Sequence, residues 1–248
     1  MLHHIRQTLP HERLIYVADS AHVPYGDKSP SYIEQRSQTL ARFLIAQGAD
    51  AIVIACNTAT AAAVASLRGQ FDIPLIGMEP AVKPAVAATR SGVVGVLATT
   101  GTLESARFAA LLERYGEEVE IVTQGCPGLV EQVELGELHS GRTRELVERY
   151  TAPLLRRGAD TLILGCTHYP FLAALIRDVV GDGITLVDTG EAVARQLQRR
   201  IQTELPARAS DGPSAEFFTS GDATLASRIM SALWSGPVAA ARLPSEYQ

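Results

Sequence analysis

One block of this sequence occurs twice. Gly48-Ala49-Asp50 leads into Ala51-Ile52-Val53-Ile54-Ala55 and then Cys56; Gly158-Ala159-Asp160 leads into Thr161-Leu162-Ile163-Leu164-Gly165 and then Cys166, with every position in register. Each block reads as the end of a helix, a buried strand, and a cysteine followed by polar residues at the strand's carboxyl end. That is the end at which open α/β sheets bind ligands. A repeat this widely spaced indicates two similar α/β halves rather than a solenoid. Halves that face each other would turn both cysteines into one cleft.

The rest of the chain supports that reading. Short apolar runs at 14–18, 51–55, 75–78, 93–98, 120–123, 161–165, 185–187 and 216–219 alternate with amphipathic stretches such as 31–47, 102–115, 142–157 and 190–203. Strands that alternate with helices, and whose apolar runs barely alternate in polarity, indicate mainly parallel sheets covered on both faces. The fold class expected is therefore α/β, with two pseudo-symmetric domains and a cleft between them. Residues 205–215, rich in Pro, Ala, Ser and Gly, read as a loop before a last strand and helix.

Charge narrows the function classes. The net charge is −5 and no block of like charges occurs, so neither a nucleic-acid track nor an anionic membrane surface is indicated as a partner. No apolar run reaches the length of about 18 residues that suggests a membrane span, and no signal pattern opens the chain. A cytoplasmic setting is expected. There the three cysteines, Cys56, Cys126 and Cys166, are expected to be free thiols, since their number is odd and no two lie close in sequence.

A single cysteine at the end of a strand is most often a small buried apolar residue, and Cys126 is read that way. Cys56 and Cys166 form a registered pair, and each is followed by polar residues: Asn57 and Thr58 in one case, Thr167 and His168 in the other. Such a pair suits one reaction well. Inverting an α-carbon requires removal of a weakly acidic proton from one face and delivery of a proton to the other, which needs two acid/base groups. A thiol serves in both directions, because its ordinary pKa of about 8.5 keeps both forms accessible near neutral pH. Polar side chains and free amides at the strand ends suit a carboxylate and an ammonium group. His168 suits tuning or proton supply.

Two rival chemistries fit less well. Zinc held by Cys56, Cys126, Cys166 and His168 lacks the closely spaced ligand pairs of structural sites, so no metal is expected. Pyridoxal phosphate needs a Schiff-base lysine, and neither Lys28 nor Lys83, the only lysines, sits in a glycine-rich phosphate-binding context. No Walker or dinucleotide motif is present.

Ala55-Cys56-Asn57-Thr58-Ala59 and Gly165-Cys166-Thr167-His168-Tyr169-Pro170 resemble the two signature blocks of the aspartate/glutamate racemase superfamily. Residues 16–19 followed by Pro24-Tyr25-Gly26, then Gly77-Met78-Glu79-Pro80, Ala98-Thr99-Thr100-Gly101-Thr102, Cys126-Pro127 with Val133-Glu134, and 218–222 narrow the resemblance to the glutamate racemases over essentially the whole chain. The resemblance implies a cofactor-independent two-thiol racemase acting on glutamate, whose D-glutamate feeds peptidoglycan synthesis. By that likeness Cys56 removes the α-proton of D-glutamate and Cys166 that of L-glutamate. Glu134 and His168 assist the second cysteine. Tyr25, Gly26, Asn57, Thr58 and Thr167 hold the substrate, and Thr102 is a further contact. The family's architecture places 1–78 plus 189–248 in the half carrying Cys56 and 79–188 in an inserted half carrying Cys166. A homodimer is compatible with it. An aspartate racemase and a non-catalytic binding protein stand as alternatives.

The front of the chain departs from the family pattern, which opens with a strand and an Asp-Ser-Gly-Val-Gly-Gly loop whose aspartate assists the first cysteine and whose serine contacts substrate. Here residues 1–6 read as the middle of the following helix, without an N-cap. Asp19-Ser20 is not that pair, because it follows the next strand. The working protein is expected to carry about 15–20 further residues, the length of a strand, a loop and a helix start.

Overall fold

The structure, a computed structural model, describes residues 1–206 and 212–248. In chain order its elements are α1 (Leu2–Thr8), β1 (Arg13–Ala18), α2 (Pro30–Ala46), β2 (Ile52–Val53), α3 (Asn57–Gln70), β3 (Leu75–Ile76) and α4 (Val82–Ala88). Then come β4 (Val93–Ala98), α5 (Thr100–Leu103), α6 (Ala106–Tyr115), β5 (Glu120–Gly125), α7 (Leu129–Glu134), α8 (Gly141–Arg156) and β6 (Thr161–Leu164). The chain continues through α9 (Ala173–Val180), β7 (Thr185–Val187), α10 (Gly190–Glu204), β8 (Ser214–Thr219), α11 (Ala223–Trp234) and β9 (Ala240–Arg242). Short 3-10 turns cover Tyr25–Asp27 and Tyr169–Leu172. Of the expected 205–215 loop, residues 207–211 lie outside the described residues. Every strand pairing among the described residues is parallel, as the uniform apolar runs require.

The chain divides into two compact units. One contains Met1–Ala55, Ala62–Met78 and Gly190–Gln248; the other contains Cys56–Ala61 and Glu79–Thr189. Cys56, expected with the first half, groups by its contacts with the second. The reason is local and polar: Asn57 Nδ2 donates to the Gly165 carbonyl at 2.7 Å, and the Thr58 hydroxyl meets those of Thr99 and Thr102.

The repeated Gly-Ala-Asp is a helix terminator. Gly48 (φ 83°) and Gly158 (φ 85°) both sit in the left-handed region. After α2 the Gly48 amide donates to Ile45 O and the Ala49 amide to Leu44 O; after α8 the Gly158 amide donates to Leu155 O and the Ala159 amide to Leu154 O. These are the two crossed bonds of a Schellman motif, which satisfies the last carbonyls of a helix and favours glycine because no Cβ is in the way. The chain then turns directly into β2 or β6.

In the first unit, β1, β8 and β9 form one sheet and β2 and β3 another. The helix α1, whose start at Met1 has no side-chain cap, lays Ile5 against Ile76, Met78, Val193, Ala194 and Leu197. In the second unit the order is β5-β4-β6-β7. Val94, Val96 and Ala98 of β4 and Ile163 of β6 share a core with Val82 and Ala85 of α4 and Phe108 of α6. Alternation turns Gly95 to the other face. A Cβ there would meet Leu162 Cδ2 at 2.5 Å and Leu154 Cδ1 at 2.9 Å, so glycine is what lets α8 lie on this sheet. The chain leaves β4 for β5 on one side and returns to β6 on the other. That reversal is a topological switch point, and the crevice outside the carboxyl ends of β4 and β6 is the ligand-binding position of such a sheet.

Candidate active site

The second unit gathers its chemistry at that crevice. Thr99 and Thr102 follow β4, Gly165 and Cys166 follow β6, and the segment Cys56–Ala61 joins them. Gly165 is held on both sides. Its amide donates to Leu97 O at 2.8 Å and its carbonyl accepts from Asn57. A Cβ on Gly165 would lie 2.8 Å from that Leu97 oxygen, so a side chain would push β6 off β4. The residue before the second cysteine is thereby bonded directly to the residue after the first.

Beyond Cys166 the backbone folds into a tight turn, with the Tyr169 amide donating to Cys166 O. The turn swings His168 back over the thiol. His168 Nδ1 lies 3.7 Å from Cys166 Sγ, and His168 Nε2 lies 2.7 Å from Glu134 Oε1. This is a thiol, an imidazole and an orienting carboxylate in sequence, the arrangement that activates a sulfur. Burial disfavours a charged imidazole. The bonds to Cys166 and Glu134 outweigh it and push His168 up to about 10, so it is imidazolium throughout the neutral range. Glu134 ends α7, which starts right after the Cys126-Pro127 loop. That loop is pinned by Tyr150 Oη donating to Pro127 O and by buried Tyr169 Oη donating to Cys126 O. Cys126 itself is buried, donates to Gln124 O, and has its thiol pushed up to about 12 by burial.

Among the described residues Cys56 has no imidazole–carboxylate partner of this kind. The Ala59 amide donates to its sulfur at 3.3 Å, from the first turn of α3. Burial pushes its thiol up to about 11, against hydrogen bonds from Ala59 and Thr58; Cys166 is near enough to raise it further. Behind Thr58 the hydroxyls of Thr58, Thr99 and Thr102 form a closed triangle with edges of 2.9, 3.0 and 3.0 Å. Each hydroxyl has one proton to give and two lone pairs. Thr58 can therefore accept from both neighbours and donate its proton to Cys56. Asn57 completes the group: its amide nitrogen is used on Gly165, while its Oδ1 is buried and takes no hydrogen bond from any described residue.

Of the residues singled out in sequence, Cys56, Asn57, Thr58, Thr102, Glu134, Cys166, Thr167 and His168 thus belong to the second unit, and the bonds above join all but Thr167, which follows Cys166 in the same turn. Tyr25 and Gly26 belong to the first unit, in the 3-10 turn after β1. Thr99 was not singled out, although it lies within the quoted Ala98-Thr99-Thr100-Gly101-Thr102 segment. Among the described residues no group of three or more His, Cys, Asp or Glu is placed to hold a metal ion.

Comparison with known proteins shows the family. The family model described as Asp/Glu/Hydantoin racemase matches residues 1–197. The chain is 56% identical, over 100% of its length and 92% of the relative's, to a protein named Glutamate racemase from Methylococcus capsulatus. It is 52% identical, over 98% of its length and 92% of the relative's, to one of the same name from Pseudomonas aeruginosa. Among solved structures, a glutamate racemase isoform from Bacillus anthracis superposes with a TM-score of 0.88 at 29% identity, covering 100% of this chain and 93% of that one. Escherichia coli glutamate racemase, solved with L-glutamate and the activator UDP-MurNAc-ala, superposes with a TM-score of 0.86 at 32% identity over 96% of this chain and 91% of that one. This chain therefore belongs to the glutamate racemases of the Asp/Glu/Hydantoin racemase family.

Proposed function

We propose that the chain interconverts L- and D-glutamate through Cys56 and Cys166, without metal or organic cofactor, and so supplies D-glutamate for peptidoglycan in the cytoplasm. The observation that carries the reading is the bond from Asn57 to the residue preceding Cys166, which gathers both thiols and the His168–Glu134 dyad at one strand edge. No helix among the described residues is long and apolar enough to cross a membrane, in keeping with a small, water-borne substrate.

In this mechanism one sulfur, as thiolate, takes the α-proton of bound glutamate while the other, as thiol, gives a proton to the opposite face. One C–H bond breaks and one forms, one S–H forms and one breaks. The enzyme is left in the complementary protonation state and resets by exchange with solvent. The ligand-free site is poised for one direction. Cys56, raised to about 11, holds its proton at neutral pH and is ready to donate. The His168 imidazolium lies beside Cys166, the sulfur that removes the L-glutamate proton in this reading. Asn57 Oδ1, buried without a donor, would be satisfied by the substrate ammonium, which removes the cost of an unmet acceptor. Thr58, Thr102 and Thr167 supply further polar contacts, and the family resemblance adds Tyr25 and Gly26 as substrate contacts.

Racemisation in deuterated water tests the assignment. Cys56→Ala and Cys166→Ala should each abolish net inversion. Any residual exchange at the α-carbon should be confined to D-glutamate when only Cys56 remains and to L-glutamate when only Cys166 remains. Near-normal inversion in either variant would overturn the two-thiol reading.

A further inference from the structure

The first unit contains a buried ion pair that the reaction does not use. Asp19 leaves the carboxyl end of β1, and Arg36 lies on α2; their side chains are 5% and 9% exposed. The contact is a fork, with Arg36 Nη2 donating to Asp19 Oδ1 at 2.7 Å and Arg36 Nε to Oδ2 at 3.1 Å. Oδ2 takes a third bond, from the Tyr25 hydroxyl at 2.5 Å. The anchorage extends to neighbouring chain ends. Ser220, at the exit of β8, accepts from the Ala21 amide and also bonds Asp19, and Arg36 Nη2 donates to Tyr247 O near the C-terminus. Burial alone would raise the Asp19 carboxyl; the bonds from Arg36 and Tyr25 prevail and hold it below the usual range.

A buried ion pair is weak evidence of a stabilising role, because apolar residues of the same size often do as well. What this pair provides that apolar residues cannot is a directed, charge-assisted bond to Tyr25. The charges also matter to an anionic ligand. A bare carboxylate one bond from the Tyr25-Gly26 turn would repel a dicarboxylate, and Arg36 cancels it at contact distance. We propose that Asp19 and Arg36 are positioning residues for substrate binding: they hold Tyr25, and with it the Tyr25-Gly26 turn, in the conformation that receives a carboxylate of glutamate, and they take no part in proton transfer. The proposal rests on the reading above that this turn meets the substrate.

The test uses the full chain and steady-state kinetics in both directions, with melting temperature and ligand-free Cys56 alkylation measured in parallel. Asp19→Asn and Tyr25→Phe should each raise KM by about tenfold or more, the scale of one lost charge-assisted hydrogen bond, with kcat and the alkylation rate unchanged. Because both act through one bond, the double variant should be no worse than Asp19→Asn alone. Arg36→Lys, which keeps the charge and loses the fork, should raise KM by a smaller factor and guards against a misfolded Asp19→Asn. Additive losses in the double variant, a wild-type KM in Tyr25→Phe and Arg36→Lys, or a fall in kcat that tracks melting temperature would each overturn the proposal. The underlying reading fails separately: in that case the unaltered chain does not racemise glutamate, and glutamate does not protect Cys56 from alkylation.

Discussion

The two cysteine blocks begin alike and end differently. Both start at a Schellman glycine and pass through a short parallel strand to a thiol at its carboxyl end. From there Cys56 runs straight into α3, and its sulfur meets an amide and a neutral chain of hydroxyls. Cys166 runs into a tight turn that brings a charged imidazole, backed by a carboxylate, over its sulfur. The backbone pattern thus decides where a thiol is placed, and the residues after it decide what surrounds the sulfur. A reaction that inverts a centre needs matched positions, whereas its two half-steps have no need of matched electrostatics.

The sharpest way to break this comparison is to remove the charged support from one side and the neutral support from the other. His168→Gln and Glu134→Gln should lower kcat/KM by about 10²–10⁴-fold, the usual worth of general acid–base assistance. Thr58→Val and Thr99→Val should cost only about tenfold, one hydrogen bond's worth. Enantiomers are equal in free energy, so every variant must lose kcat/KM equally in the two directions. Threonine variants as damaged as His168→Gln would show that the hydroxyl chain, and not charge, governs the rate.

The acidity of Cys56 gives a second contrast. A thiol raised from 9.0 to about 11 by burial has about a hundredth of the ordinary thiolate fraction at neutral pH. Iodoacetamide alkylation of Cys56, followed by peptide mass spectrometry, should still be rising about tenfold per pH unit above pH 9. A plateau near pH 8.5 would show a thiol that burial does not suppress.

Stability should record the same two groups in separate pH windows. His168 has its folded pKa raised from 6.5 to about 10, so the stability it contributes is fully present below pH 6.5 and is lost as pH rises through 10. Cys56, raised from 9.0 to about 11, likewise loses its contribution only above pH 9. Urea unfolding of the unaltered chain should therefore show stability declining from about pH 6.5, by several kcal/mol in all. His168→Gln should stay level until about pH 9. Parallel curves for the two proteins would mean that the imidazolium is not held by its partners.

How much of this was legible in the sequence follows the range of each interaction. The helix ends at Gly48 and Gly158 are local events and could be read from three residues. The strands were read from their apolar runs, although 51–55 pairs as a ladder only over Ile52–Val53. The strand Ala240–Arg242 was not foreseen. It is short, is built on small alanines, and is set in place by distant hydroxyls, with Ser227 Oγ receiving the Ala240 amide and Ser231 Oγ the Val238 amide. In the site, His168 could be read because it lies two residues from its thiol. Glu134 came from family resemblance, since its approach depends on the loop pinned by Tyr150 and Tyr169. Thr99, Arg36 and the pairing of Asp19 could not be read because hydroxyl convergence and buried pairing are tertiary facts with no spacing to betray them.

The smallest effect tests the half of the comparison that claims likeness. Gly48→Ala and Gly158→Ala each put a Cβ on a left-handed residue. The space is open in both cases: among the described residues nothing lies within 4 Å of a Cβ on Gly158, and only Arg13 Nη1, at 3.9 Å, near one on Gly48. The cost is then backbone strain alone, about 1–2 kcal/mol for each, and the two should agree because the crossed hydrogen bonds are the same. Neither glycine touches a thiol, so kcat/KM should be unchanged in both. Urea unfolding midpoints for the two variants decide the matter. A large loss from one and none from the other would show that the blocks share letters without sharing a conformation, and the likeness at the start of each strand would have to be given up.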